Sequence, residues 1–357
     1  MKVINIGLAG FGMAAKVMHA PFLKLSNQYK VVSVLERHNN DSQQLFPSAK
    51  IVRNFDKLIS NDEIELIIIT TPNDTHFSYA AEALSKGKHV VLEKPFTITS
   101  KEALDLIEIA KQNNRILSVY QNRRYTADFI TIKEIFERKL LGDVHEYEAH
   151  FDRYRPELKL KAWREESGPG NGIFYDLGSH LIDQALYLFG IPKTVTADIR
   201  LQRKNAKADD YFDVRLDYGF TRVTLKASML VREPGPRVMI HGTKGSFIKY
   251  GDDPQEALLK QGILPSSPDW GCEPEANYGL LHTEIDEQDT SIKYPSLQGN
   301  YGLYYINLYQ TILNGAELKE KPEHGYNTIR LIELAFGSSK AKATMDCSKM
   351  LDVQYSV

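Results

Sequence analysis

Cysteine is scarce in this 357-residue chain: Cys272 and Cys347 are the only two, and they lie far apart. Such a pair is no disulfide framework and has no metal-ligand spacing, so it fits a reducing compartment and no metal is expected. Long apolar runs are also missing. No stretch approaches the roughly 18 residues that a membrane helix needs. The N-terminus, MKVINIGLAGFG, turns glycine-rich before the core of a signal peptide forms. Neither sign of charge dominates, with 44 Lys and Arg against 46 Asp and Glu, a net charge of −2. That balance leaves no footprint for nucleic acid and no patch for a membrane surface. A cytoplasmic, soluble protein is therefore expected. What is present fits that class: 42% hydrophobic and 25% charged residues, in a chain long enough for two domains.

The first third alternates β-rich and amphipathic segments. Residues 2–8 form a short β-type run, and Gly10-Phe11-Gly12-Met13-Ala14-Ala15 follows at once. This is the GxGxxA variant of the dinucleotide fingerprint in its required place, directly after a strand. Gly10 permits the tight turn, Gly12 lets the backbone approach a pyrophosphate, and Ala15 lets the helix pack close. The helix N-terminus then offers free N–H groups to the phosphates. A second run, Val31 to Leu35, ends in Glu36, where an acid meets a ribose diol. Arg37 and His38 follow and suit a 2′-phosphate, so NADP is favoured slightly, with NAD the alternative. Further β runs at 66–70, 89–92 and 116–120, separated by amphipathic stretches at 74–86 and 100–113, predict a doubly wound parallel sheet. Ligands of such sheets bind beyond the carboxyl ends of the strands. Thr71-Pro72-Asn73, Glu93-Lys94-Pro95 and Gln121-Asn122-Arg123 are polar clusters at that edge, each also readable as an ordinary turn.

Beyond Tyr125 the pattern changes to long β runs at 144–153, 195–201, 211–218, 223–231 and 237–241, joined by short turns. These predict an open, largely antiparallel sheet in an α+β domain. The stretch GNGIFYDLGSHLIDQALYLFG, residues 170–190, reads as a helix from Tyr175 onward. Leu177, Leu181, Ala185 and Leu188 make its apolar face, and Asp176, His180, Asp183 and Gln184 a polar stripe. Spacing of four puts Asp176 and His180 side by side. A solvated helix face is the plain alternative, but the stripe lacks Lys, Arg and Glu. A flexible run, Gly168-Pro169-Gly170-Asn171-Gly172, leads straight into it. The final helix pair, 301–314 and 325–345, carries core-facing Ile329, Ile332 and Phe336 and calls for no functional reading.

The glycine fingerprint, Thr70-Thr71-Pro72-Asn73, Glu93-Lys94-Pro95 and Asp176-Leu177-Gly178-Ser179-His180 occur together in the order and rough spacing of one family. The chain resembles the Gfo/Idh/MocA oxidoreductases over nearly its whole length, and its wording at 122–125 and 176–190 is similar to NADP-linked inositol dehydrogenases. The resemblance implies a Rossmann NAD(P)-binding domain at 1–122. It implies a substrate-binding and oligomerisation domain at 123–357, whose C-terminal helix packs back on the first domain. It makes Lys94 and His180 the catalytic pair, with Asp176 holding the substrate hydroxyl or orienting the histidine, and it suggests a cis bond at Lys94-Pro95. Gly10, Phe11, Gly12, Met13, Ala14, Glu36, Arg37, Thr71, Pro72, Asn73, His76, Glu93, Lys94, Gln121 and Asn122 become the expected cofactor contacts. Lys94, Asn122, Tyr154, Trp163, Asp176 and His180 become the expected substrate contacts, with Arg155 and Tyr278 further candidates. The implied reaction is hydride transfer between NAD(P) and a carbinol carbon of a cyclic polyol or sugar. A homodimer or homotetramer through the C-terminal sheet is expected. Two rivals are a nucleotide-sensing regulatory protein on the same fold, and a sugar–sugar oxidoreductase that keeps its cofactor bound.

Overall fold

The computed structural model describes residues 2–158, 165–285 and 288–353. Among them, contacts divide the chain into two units. One comprises Met1–Asn122, Pro254–Trp270 and Asn300–Tyr326, the other Arg123–Asp253, Gly271–Gly299 and Asn327–Val357.

The first unit is built on a parallel sheet of β1 (Ile4–Ala9), β2 (Tyr29–Leu35), β3 (Lys50–Val52), β4 (Leu66–Ile69), β5 (His89–Leu92) and β6 (Leu117–Val119). Its order is β3-β2-β1-β4-β5-β6, the doubly wound arrangement of dinucleotide-binding domains. All four residues of β4 are fully buried, and so are Val90, Val91 and Leu92 of β5. Helices cover both faces of such a sheet, which is why its central strands read as unbroken apolar runs. The strand order reverses between β1 and β4, so Gly10 and Thr70 stand together at the switch point. One face carries the helix Gly302–Asn314, whose Tyr304 hydroxyl donates to Ser118 Oγ (2.8 Å).

The second unit centres on a mixed sheet. Its strands are β7 (Val144–His150), β8 (Thr194–Arg200), β9 (Tyr211–Asp217), β10 (Arg222–Ser228), β11 (Val238–Gly242), β12 (Gly245–Lys249), β13 (Gly279–Ile285), β14 (Gln288–Tyr294) and β15 (Met345–Asp346). The order is β14-β13-β12-β11-β7-β10-β9-β8-β15, and every pairing is antiparallel except β7 with β10. Tyr147, Phe212, Leu216, Leu225, Ile240 and Phe247 fill the buried side of this sheet.

The sequence reading omits β3 and β12 to β15, and it carries the last helix on to Met345, whereas that helix runs Pro322–Ala341 and Met345 begins β15. These strands are short, peripheral or rich in polar residues, so burial leaves little trace in their patterning. The segment from Tyr175 also differs from a plain α-helix. A π-helical turn, Phe174–Gly178, precedes the α-helix Ser179–Phe189. Another π-helical turn, Ala15–His19, opens into the α-helix Ala20–Leu25 after the glycine fingerprint. Among the described residues, no helix is long and apolar enough to cross a membrane.

Candidate active site

In the first unit, the strand ends enclose a cavity of about 690 Å³ lined by Gly10, Phe11, Gly12, Glu36, Arg37, Thr71 and Pro72 together with His38 and Asn39. Gly10 has φ +96°, a conformation that only glycine holds without strain, and it delivers the chain from β1 into the turn. A Cβ built on Gly12 would meet nothing within 4 Å. Met13 and Ala14 begin the helix and do not line this cavity.

Glu36 is placed differently from a carboxylate waiting for a ribose. Its Oε2 accepts the Asp41 N–H (3.0 Å), and its Oε1 accepts the Ser42 N–H (3.0 Å) and the Ser42 hydroxyl. The acid thereby ties the loop after β2 into a turn. Arg53 braces the same loop, donating Nη1 to the carbonyls of Glu36 (2.8 Å) and Asn39 (2.7 Å). Arg37 and His38, by contrast, are exposed at the cavity wall. Sequence reasoning missed Arg53, Phe55 and Tyr79, which also line the cavity. The two rings stack at 3.9 Å between centroids with 5° between planes. Arg53 follows the unrecognised β3, and that strand was the signal that would have found it.

Several expected cofactor contacts are buried supports. His76 is 1% exposed, with Nδ1 at 2.9 Å from the Pro95 carbonyl and Nε2 at 3.0 Å from the Thr71 carbonyl. Burial lowers its pKa against the opposing pull of those carbonyls, and the ring, which when neutral donates to only one of them, sits between the ends of β4 and β5. Asn73, Gln121 and Asn122 are likewise buried, and Gln121 Oε1 has no hydrogen-bond partner among the described residues. Lys94, half-buried, follows β5 directly, and its bond to Pro95 is cis.

In the second unit, the polar stripe on the 174–189 segment is not solvated. His180, Asp183 and Gln184 are all buried. The lower part anchors the chain after Asn122. Asp183 takes both arms of the Arg124 guanidinium (2.8 and 2.7 Å), and Gln184 Nε2 donates to the Arg123 carbonyl (2.9 Å). Asp176 and His180 make up the rest. His180 stands edge-on to Phe151 with 6.3 Å between centroids, and the Arg123 and Arg237 guanidinium groups lie 5.8 and 3.5 Å from the same phenyl ring. Tyr154 is 44% exposed and accepts from Arg232 at its hydroxyl (2.7 Å). Trp163 lies outside the described residues. The run before the helix is fastened by Asp209, whose carboxylate accepts the Phe174 N–H (2.7 Å) and whose carbonyl accepts the Ile173 N–H (2.9 Å).

Comparison with known proteins agrees with this architecture. A family model described as an oxidoreductase family NAD-binding Rossmann fold matches residues 4–121, and its C-terminal alpha/beta domain counterpart matches residues 133–346. The chain is 40% identical over 345 residues to the scyllo-inositol 2-dehydrogenase (NADP(+)) IolW of Bacillus subtilis, covering 97% of this chain and 96% of that protein. It is 27% identical over 278 residues to the glucose-6-phosphate 3-dehydrogenase of the same organism, covering 72% and 78%. Among solved structures, the oxidoreductase yvaA from Bacillus subtilis superposes with a TM-score of 0.94 at 40% identity, covering 96% of this chain and 98% of that one. An oxidoreductase from Bacteroides fragilis gives 0.90 at 44% identity, covering 97% and 100%. The chain is therefore a member of the Gfo/Idh/MocA family of NAD(P)-binding oxidoreductases.

Proposed function

We propose that this oxidoreductase is an NADP-linked dehydrogenase that oxidises a secondary hydroxyl of a cyclic polyol, with inositols as the first substrate class and sugars as the next. The observation that carries this reading is the complete acid–base set. Lys94 stands just beyond the carboxyl end of β5, and Asp176 and His180 stand four residues apart on the largely buried helical segment of the second unit. A nucleotide sensor needs the glycines but has no use for these three side chains. The likeness to an NADP-linked scyllo-inositol 2-dehydrogenase over 97% of the chain supports the same reading.

The residues present fit a dinucleotide. The open space in front of Gly12 admits a pyrophosphate against bare backbone, and the buried Gln121 Oε1 is an acceptor suited to a carboxamide N–H. Because the Glu36 carboxylate is already engaged by its own loop, the 2′ position of the ribose falls to Arg37 and His38. A guanidinium there favours a 2′-phosphate through charge-assisted hydrogen bonds. That balance supports NADP over NAD.

When bound, the nicotinamide supplies the hydride acceptor. The chain supplies everything else. His180 takes the hydroxyl proton as the carbinol carbon is oxidised, a task suited to the side chain that titrates nearest neutrality. Lys94 is the donor suited to stabilising negative charge that develops on a substrate oxygen. Asp176, four residues before His180, holds the substrate hydroxyl or orients the ring. A panel of inositols and sugars assayed with NADP and with NAD tests the proposal. Turnover of an inositol with NADP is expected, and absence of turnover across the panel with either cofactor would overturn it.

We also propose that the open face of the second sheet forms a homodimer or homotetramer. Met239, Ile248 and Leu280 adjoin across β11, β12 and β13, opposite the buried face, and Leu280 is 46% exposed. A row of three apolar side chains on an otherwise polar surface is what an interface core requires.

A further inference from the structure

The turn that carries Lys94 rests on a chain of buried polar groups that hydride transfer does not itself use. Glu93 is 8% exposed, and its Oε2 accepts the Lys94 backbone N–H (3.0 Å). Its Oε1 lies 2.9 Å from His19 Nε2, and His19 Nδ1 lies 2.5 Å from the Tyr305 hydroxyl. His19 is completely buried, with its ring 4.2 Å from that of Tyr120. Tyr305 is fixed in turn, because its carbonyl accepts the Tyr29 hydroxyl (2.8 Å). Every member of this chain belongs to the first unit.

The direction of the hydrogen bonds at Glu93 follows from charge. Burial works to raise the pKa of Glu93, but hydrogen bonding and charge from His19, together with the Lys94 charge and N–H, outweigh it and hold the pKa below the ordinary value. An ionised carboxylate only accepts, so His19 Nε2 donates to it. Burial pushes the Tyr305 phenol far up, so it keeps a proton that it can donate to His19 Nδ1. The contacts run from the Tyr305 hydroxyl to Nδ1, from Nε2 to Glu93, and from the Lys94 N–H to the other carboxylate oxygen.

We propose that His19 is a positioning residue for Lys94, acting through Glu93, with Tyr305 fixing the tautomer that makes this possible. The proposal rests on the catalytic role given to Lys94 above. A buried carboxylate that served only to fill space would be replaced at no loss by an apolar side chain. Here it is oriented at one oxygen by an imidazole and at the other by the peptide of the reacting lysine. Removing the His19 donor leaves Oε1 buried without that partner. The carboxylate then rotates or takes up a proton, and the Lys94 peptide loses a fixed acceptor. Displacement of a reacting group by about 1 Å costs on the order of 10²-fold in rate. His76 holds the other side of the turn at the Pro95 carbonyl, so the expected effect is a shift of the lysine rather than loss of the turn.

The test compares His19→Ala, His19→Asn, His19→Gln, Tyr305→Phe and Lys94→Ala in the full-length protein. The assay uses NADP and whichever polyol of the substrate panel turns over fastest. Glutamine reaches Glu93 with an amide N–H where Nε2 stands, whereas asparagine is too short. The expected result is a kcat lowered about 30- to 100-fold in His19→Ala and His19→Asn and about 3- to 10-fold in Tyr305→Phe. Turnover should recover to within about fivefold of wild type in His19→Gln. KM for the polyol and NADPH affinity by fluorescence titration should stay within about threefold throughout. If Lys94→Ala is inactive while His19→Asn and His19→Gln turn over equally, the positioning role is overturned and the Lys94 assignment stands. A loss in His19→Asn that falls on NADPH affinity instead of kcat also overturns it. Near-normal turnover in Lys94→Ala overturns the Lys94 assignment and this inference together. Should His19→Ala fail to fold, the asparagine–glutamine contrast decides.

Discussion

Replacing Arg124 by Met tests whether the helix bearing His180 is held by a buried ion pair. Arg124 and Asp183 are 4% and 2% exposed, and two parallel hydrogen bonds of 2.8 and 2.7 Å join them. The guanidinium also lies 5.0 Å from the centre of the Tyr187 ring, which methionine would still cover. The perturbation therefore removes the charge while keeping most of the packing. It leaves the Asp183 carboxylate, three residues past His180, buried without its cation. Breaking one half of such a pair costs about 3–5 kcal/mol, a large share of the 5–15 kcal/mol that a whole domain commands. Urea unfolding followed by circular dichroism should show that loss. The double variant Arg124→Met/Asp183→Leu removes both charges and should return to within about 1 kcal/mol of wild type. Kinetics of the same proteins should show turnover falling in Arg124→Met and partly recovering in the double variant. A loss below about 1 kcal/mol in Arg124→Met, or a double variant no more stable than the single one, would refute the reasoning.

Arg37→Ala should raise KM for NADP about 10- to 100-fold, the size of one or two charge-assisted hydrogen bonds, and leave KM for NAD nearly unchanged. Equal effects on both cofactors would remove Arg37 from the 2′ position. Asp209 bears on pH, because burial and the neighbouring Asp210 charge push its carboxyl from 3.8 up to about 7 against the Phe174 N–H bond. The folded state then binds a proton that the unfolded chain has released, so stability falls as pH rises from about 4 to about 7 and levels off above. Asp209→Asn removes that loss, keeps the acceptor for Phe174 N–H, and should gain up to about 3 kcal/mol at pH 8 with no gain at pH 4. Thermal melts across that range check it, and an equal change at both ends would reject it. Leu280→Asp should weaken self-association about tenfold or more, read by light scattering across a dilution series. An unchanged mass at every concentration would remove that face from the interface.

Much of the first unit was legible because its signals are steric and local. Gly10 and Gly12 follow β1 directly, and the apolar runs of β4 and β5 need no partner to be recognised. Lys94 stands out in the sequence for the same reason, since a strand end followed by a cluster of polar residues is visible in one dimension. What the sequence could not show is which polar residue faces a ligand and which faces the protein. Glu36 has the position of a ribose acceptor, yet its oxygens meet Asp41 and Ser42, five and six residues on. His76 and Glu93 sit among site residues but spend their polar atoms on neighbouring backbone and on His19. His19 and Tyr305 are 286 residues apart, and no local pattern joins them. On the second unit, the stripe from Asp176 to Gln184 announced a special helix. Only its three-dimensional partners, the Arg123 carbonyl and the Arg124 guanidinium, show that Asp183 and Gln184 anchor the chain.

The two π-helical turns have a consequence for how this chain can be altered. Each holds one residue more than an α-helical turn would, and each lies against a buried histidine: Ala15–His19 ends on His19, and Phe174–Gly178 stops two residues short of His180. Deleting a single residue from either turn would let the helix close into regular α geometry with all of its hydrogen bonds made. Everything beyond the deletion would then be rotated by about 100° relative to what lies before it. Such a deletion would be nearly silent in helix content yet would turn His19 or His180 out of its present place, so sequence length in these two segments constrains where those side chains stand.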